Sequence, residues 1–145
     1  MESYIKIIIT PFITLVIVQS IKLLTDGIKG NYSLKDFFFT YGGMPSSHTA
    51  FVSSMSAMVA FTEGLGSSDF GIAMVLSLIV ITDAVILRRY IDGHGTAVKM
   101  LVQRLTPEEQ KKFPVVATKL EHTLPQVLVG AGVGIVIATL INFIF

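Results

Sequence analysis

The densest run of groups able to handle an anion is Tyr41-Gly42-Gly43-Met44-Pro45-Ser46-Ser47-His48-Thr49. Gly-Gly followed by Pro and two serines is loop-to-helix punctuation. The first turn of the helix it announces leaves backbone N–H groups without intrahelical partners, at the positive end of the helix dipole, so an anion fits there. His48 falls in that turn. A plain helix cap beside an interfacial histidine accounts for the same residues equally well.

Other polar groups gather at neighbouring segment ends. Gln19 and Lys22, three apart, share one side of a helix. Snorkelling to the interface is the bland account of Lys22, and an ordinary anchor is the bland account of Arg88-Arg89. Asp83 lies within an apolar run, where an ionisable group is costly and points to function by default; the plain alternative is a pairing with a neighbouring helix. Five residues of α-helix turn about 140° past a full rotation, so Asp83 is expected on a different side from Arg88. His122 stands just before the last apolar run, a position more often structural. Gly130 and Gly134 read as a G-x-x-x-G packing face. Two histidines, a hydroxyl, backbone donors and several cations at one face suit phosphoryl transfer. The cations and N–H groups stabilise charge on the equatorial oxygens, one neutral histidine attacks phosphorus, and the other donates a proton to the leaving oxygen.

These groups need a scaffold, and the composition says which kind. The chain of 145 residues is 52% hydrophobic and 14% charged, a size that fits one domain, residues 1–145. Soluble domains carry about 25% charged residues, so charge is too scarce here to coat a soluble surface, and the mean hydropathy of +0.71 agrees. There is no cysteine, which excludes disulfides, thiolate catalysis and Cys-based metal sites. Met1-Glu2-Ser3-Tyr4 lacks the basic start of a secretory leader, so the first apolar run is expected to be retained.

A bilayer core needs about 20 apolar residues of helix, and four windows come near that: 5–24, 46–61, 70–87 and 127–145. Between the last two, Val98, Leu101, Val102 and Leu105 follow helical spacing, with Lys99, Gln103 and Arg104 elsewhere, which predicts an amphipathic helix at the interface. Thr106-Pro107-Glu108-Glu109 reads as a capped helix start. The expected fold is therefore all-α: a polytopic membrane bundle of about four transmembrane helices plus an interfacial one. Of the 11 Lys and Arg residues, all but Lys6 fall in or at the edge of the first-to-second and third-to-fourth connections. The positive-inside rule makes that face cytoplasmic and both termini extracytoplasmic, in a bacterial-type plasma membrane. Four spans bury little area alone, so a homodimer or higher oligomer is expected, with the fourth span's glycine face as the contact.

At the polar residues the chain resembles a known group. Pro45-Ser46-Ser47-His48 is similar to the P-S-G-H motif of the type 2 phosphatidic acid phosphatase and vanadium haloperoxidase superfamily. His122 with Gln126-Val127-Leu128 and Gly130 is similar to its third motif. Gly-Gly-Met-Pro-Ser-Ser-His, Thr62-Glu63-Gly64, Asp83-Ala84 with Arg88-Arg89, and a His before V-L-x-G-A resemble its divergent bacterial and plastid branch. The resemblance runs from Gln19 to Gly134. It implies His122 as the nucleophile that forms a phosphohistidine, His48 as the general acid, and Ser46 and the Gly43 region as ligands of phosphate oxygens. It also implies Lys22 as the first-motif lysine and Arg88 or Arg89 as the phosphate arginine, with no metal and no cofactor. Gln19, Ser47, Asp83 and Gln126 complete the candidate binding set. The chain departs from the pattern at Ser47, where glycine is usual, at Gln126, where an aspartate normally orients the nucleophile, and at Val116, where arginine is usual. Arg88 stands six residues before His94, which makes His94 a rival nucleophile. The implied activity is a membrane phosphatase acting on a polyprenyl or glycerolipid phosphate. The alternative is a non-catalytic lipid-phosphate binder or transporter. The expected partners are a lipid phosphate and membrane lipids, with no nucleic acid.

Overall fold

The computed structural model describes residues 2–25, 44–113 and 123–145. Among the described residues there are helices and turns and no strand. The elements are α1 (Glu2–Thr25), α2 (Ser47–Glu63), α3 (Ser68–Thr82), a π-helical turn (Asp83–Leu87), α4 (Arg88–Val102), α5 (Pro107–Gln110) and α6 (Leu124–Ile144).

Among the described residues, three helical stretches are long and apolar enough to cross a membrane: Ser3–Lys22, Ser68–Val102 and Leu124–Ile144. Large apolar side chains such as Phe12, Val16, Ile72, Leu78, Val136 and Phe143 stand exposed on them. In a protein surrounded by lipid, such side chains need no protein cover. The chain is an all-α integral membrane bundle.

The second apolar window takes a different place from the other three. At 17 residues, α2 is about 26 Å long, short of the roughly 30 Å hydrocarbon core. It is the centre of the bundle, packed against α1, α3 and α6. Its buried residues are mostly small or hydroxylic: Ser47, Thr49, Ala50, Ser54 and Ser56 among them. A helix enclosed by others needs close approach rather than a greasy surface. On one side, Ser56 Oγ and Ser77 Oγ of α3 hydrogen-bond at 2.8 Å, one hydroxyl donating to the other, while the remaining proton has Ala73 O or Val52 O, each 3.2 Å from its serine, as acceptor. On another side, a Cβ at Gly130 would fall 2.6 Å from Ser46 O, and one at Gly134 would fall 2.4 Å from Ala50 O. The G-x-x-x-G face is thus used inside the chain, against α2. That is a correction to its expected role as the contact with a second copy.

These contacts fix the helix directions. Ser46 pairs with Gly130 and Ala50 with Gly134, so α2 and α6 run parallel. Val52 meets Ser77 and Ser56 meets Ala73, so α3 runs antiparallel to α2. The start of α1 meets the end of α6 around a cavity of about 310 Å³ lined by Ile5, Ile9, Thr10, Ile141 and Phe145. The end of α1, the starts of α2 and α6, and the end of α3 therefore lie together at the opposite end of the bundle. Phe12 and Phe51 lock α1 onto α2 edge to face, with ring centroids 5.7 Å apart. Gly64, at φ +87°, caps α2 in a conformation that disfavours any side chain.

The amphipathic segment, residues 88–102, is present but is not a separate helix. It continues the third span without a break, giving 35 helical residues, about 52 Å in length. The apolar part ends at Leu87, and Arg88 marks the boundary. Beyond α4, Thr106 caps α5 reciprocally: Glu109 N–H donates to Thr106 Oγ1, and Glu109 Oε2 accepts from Thr106 N–H at 3.0 Å.

Candidate functional site

His48 sits in the first turn of α2, exposed at the gathered end of the bundle. Arg88, forty residues later, opens α4. Its Nη2 lies 3.3 Å from His48 Nε2. Arginine carries only donors, so this contact is a hydrogen bond when Nε2 is unprotonated and accepting. Arg88 Nε in turn lies 3.8 Å from Asp83 Oδ2. The side chains form a chain: carboxylate, guanidinium, imidazole.

The expectation that Asp83 and Arg88 face different sides is corrected by the backbone. Residues 83–87 form a π-turn, and the Arg88 N–H bonds to Asp83 O, five residues back. The wider turn absorbs the extra residue and brings the two side chains to one side. Periodicity at 100° per residue has no means of announcing it.

Lys22 is 4% exposed and Gln19 7% exposed, both on the inner face of α1. A lysine that snorkelled to the interface would be open to solvent, so Lys22 is not serving as an anchor of that kind. Thr10, Thr14 and Val18, each fully buried, continue the same face at four-residue spacing.

Ser46 is fully buried and is the N-cap of α2. Its hydroxyl accepts from Thr49 N–H at 3.5 Å and from Thr49 Oγ1 at 3.1 Å, and its own N–H donates to Gln126 O at 3.1 Å. The Ser46 hydroxyl thus serves as the cap of α2. Ser47, 5% exposed, has a hydroxyl with no partner among the described residues, one residue from His48. Gln126 closes the capping box of α6, its Oε1 accepting from Thr123 N–H at 2.9 Å. Arg89 and His94 are exposed. His122 and Gly43 lie outside the described residues.

Asp92 escaped the sequence reading. It is 9% exposed, one helical turn after Arg88 and on its face. The signal was available: an acid four residues past the first of two arginines, in a segment otherwise read only for its apolar spacing.

The site offers a guanidinium and an imidazole in contact, a helix N-terminus, a buried serine hydroxyl one residue from His48, and a buried ammonium on α1. That combination suits a tetrahedral oxyanion. These groups lie at one end of the helical membrane bundle. Among known proteins, the Divergent PAP2 family matches residues 4–137, and the chain belongs to that family. Uncharacterized membrane protein YuiD of Bacillus subtilis (strain 168) is 33% identical over 115 residues, covering 72% of this chain and 73% of its own. No solved structure shows a significant match.

Proposed function

We propose that this protein is a membrane phosphatase that hydrolyses a lipid phosphate, of the polyprenyl or glycerolipid kind, at the cytoplasmic face. The head group enters between Arg88, His48 and Lys22, while the tail stays in the bilayer beside the helices. The observation that supports this most is the Arg88–His48 contact at 3.3 Å, because it joins the two segments that carry the phosphate chemistry.

The steps follow from the groups. A ring nitrogen of His122 attacks phosphorus, the P–O bond to the lipid breaks, and protonated His48 gives its proton to the leaving oxygen. Water then attacks the phosphohistidine, the P–N bond breaks, and His48 takes up the proton. Arg88 and Lys22 hold the charge that spreads over the equatorial oxygens. The test is phosphate release from lipid phosphates by the purified protein in detergent, abolished by His122→Ala and blocked by vanadate.

A second reading is a lipid-phosphate binder or transporter without turnover. Gln126 favours it, since an amide stands where a carboxylate would stabilise an imidazolium, and its oxygen already serves the α6 cap. Binding of lipid phosphate without release would identify this case.

A further inference from the structure

We infer that Asp83 is a positioning residue, and that its π-turn selects Arg88 rather than Arg89 as the arginine that meets the anion. The ligand in this inference rests on the proposed function; the geometry does not. Arg88 is held at both ends. Its Nε edge lies 3.8 Å from Asp83 Oδ2, and its Nη2 lies 3.3 Å from His48 Nε2. The carboxylate pairs with the Nε edge of the guanidinium, while the terminal Nη2 meets His48 of α2. Without the i→i+5 bond from Arg88 N–H to Asp83 O, the two side chains would be separated by about 140° around the helix. Arg88 would then turn away from Asp83. Arg89, one residue on, is exposed.

A carboxylate beside an anion site is unfavourable by charge alone. Asp83 therefore does not serve as a substrate ligand, the role its place in the candidate binding set gave it. It helps anion binding only through the arginine it holds. This separates two effects of opposite sign. Removing a nearby negative charge should strengthen anion binding; removing the support of Arg88 should weaken it.

The experiment measures vanadate binding to the full chain in detergent for wild type, Asp83→Ala, Arg88→Ala and the double variant, with Asp83→Asn prepared in case the alanine variant does not fold. The inference expects Asp83→Ala to weaken binding about tenfold in the wild-type background. In the Arg88→Ala background the same change leaves binding unchanged or strengthens it, and Asp83→Glu restores part of the loss. Tighter binding in Asp83→Ala, or an equal loss in both backgrounds, overturns the inference. A ligand-free readout keeps it apart from the phosphate reading: the ¹⁵N resonance of His48 Nε2. It should move in Asp83→Ala in the same direction as in Arg88→Ala. If wild type binds no vanadate but the resonance moves this way, the phosphate reading fails and the positioning role stands. If Arg88→Ala moves the resonance and Asp83→Ala does not, the positioning role fails.

Discussion

Arg88 Nη2 reaches His48 Nε2 at 3.3 Å across forty residues of sequence, and this contact joins the end of the third span to the first turn of the central helix. A charge-assisted hydrogen bond to the ligand is worth about 1.5–3 kcal/mol, so Arg88→Ala should weaken vanadate binding by roughly ten- to a hundredfold. Arg88→Lys keeps the charge but loses the planar fork, and should recover only part of that. Arg89→Ala, at an exposed position, should stay within about twofold of wild type. Equilibrium dialysis of the three variants checks the ordering.

Gly134 and Gly130 let α6 lie directly on α2. An added methyl would fall 2.4 Å from Ala50 O and 2.6 Å from Ser46 O respectively. Both obstacles are backbone, so the helices must separate, at a cost of about 1–3 kcal/mol per substitution. Gly132→Ala meets nothing within 4 Å and is expected to be neutral or stabilising, since alanine favours helix by up to about 1 kcal/mol. Thermal unfolding in detergent should therefore rank Gly132→Ala with or above wild type, and Gly130→Ala and Gly134→Ala clearly below it.

Ser56 and Ser77 hydrogen-bond across the α2–α3 interface at 2.8 Å. Either alanine substitution should cost about 0.6 kcal/mol and no more than about 1.7, the range seen for such bonds in membranes. The double variant should cost less than the two singles together, because they remove one shared bond. Equilibrium unfolding of the four proteins tests the shortfall.

The Thr106–Glu109 capping box gives α5 a pH dependence. Hydrogen bonds from the Thr106 side chain, and then from its backbone N–H, hold the Glu109 carboxyl below its ordinary value of 4.5. A folded-state value below the unfolded one means that the stabilisation is present above the ordinary carboxylate range. It is lost as pH falls through the lowered value. Amide exchange at residues 106–110 should accelerate, relative to the intrinsic rate, as the pH drops below that range. Thr106→Ala should remove most of the effect.

Much of the scaffold was legible because it rests on local chemistry. Thr106-Pro107-Glu108-Glu109 spells its cap, and Gly130 and Gly134 spell a close approach, although the sequence alone does not say whether α2 or a second copy fills it. Apolar length marked the three spans. It also marked α2, where enclosure by α1, α3 and α6 decides the outcome and composition is a poor guide. The break foreseen after Leu87 came from a change in composition. The backbone ladder is indifferent to that change and runs on to Val102.

The site was legible in its residue types and less so in its geometry. His48, Arg88 and Lys22 were chosen for their chemistry and their predicted face, and the structure brings His48 and Arg88 into contact. Asp83 was placed on the wrong side because a π-turn adds a residue that no periodicity announces. Ser46 spells a helix cap as readily as a phosphate ligand, and its hydroxyl accepts from Thr49 in the α2 cap. Asp92 is hidden in a segment whose clearest sequence signal is its apolar spacing.

The most direct test of phosphoryl transfer at this end of the bundle is acid-quench capture of the labelled enzyme after mixing with a ³²P-labelled lipid phosphate. Mass spectrometry should then find the phosphoryl group on His122. The label should be absent in His122→Ala, and in His48→Ala it should form at least about a hundredfold more slowly. A wild-type protein that carries no phosphohistidine and releases no phosphate, or one labelled on His94, would contradict it.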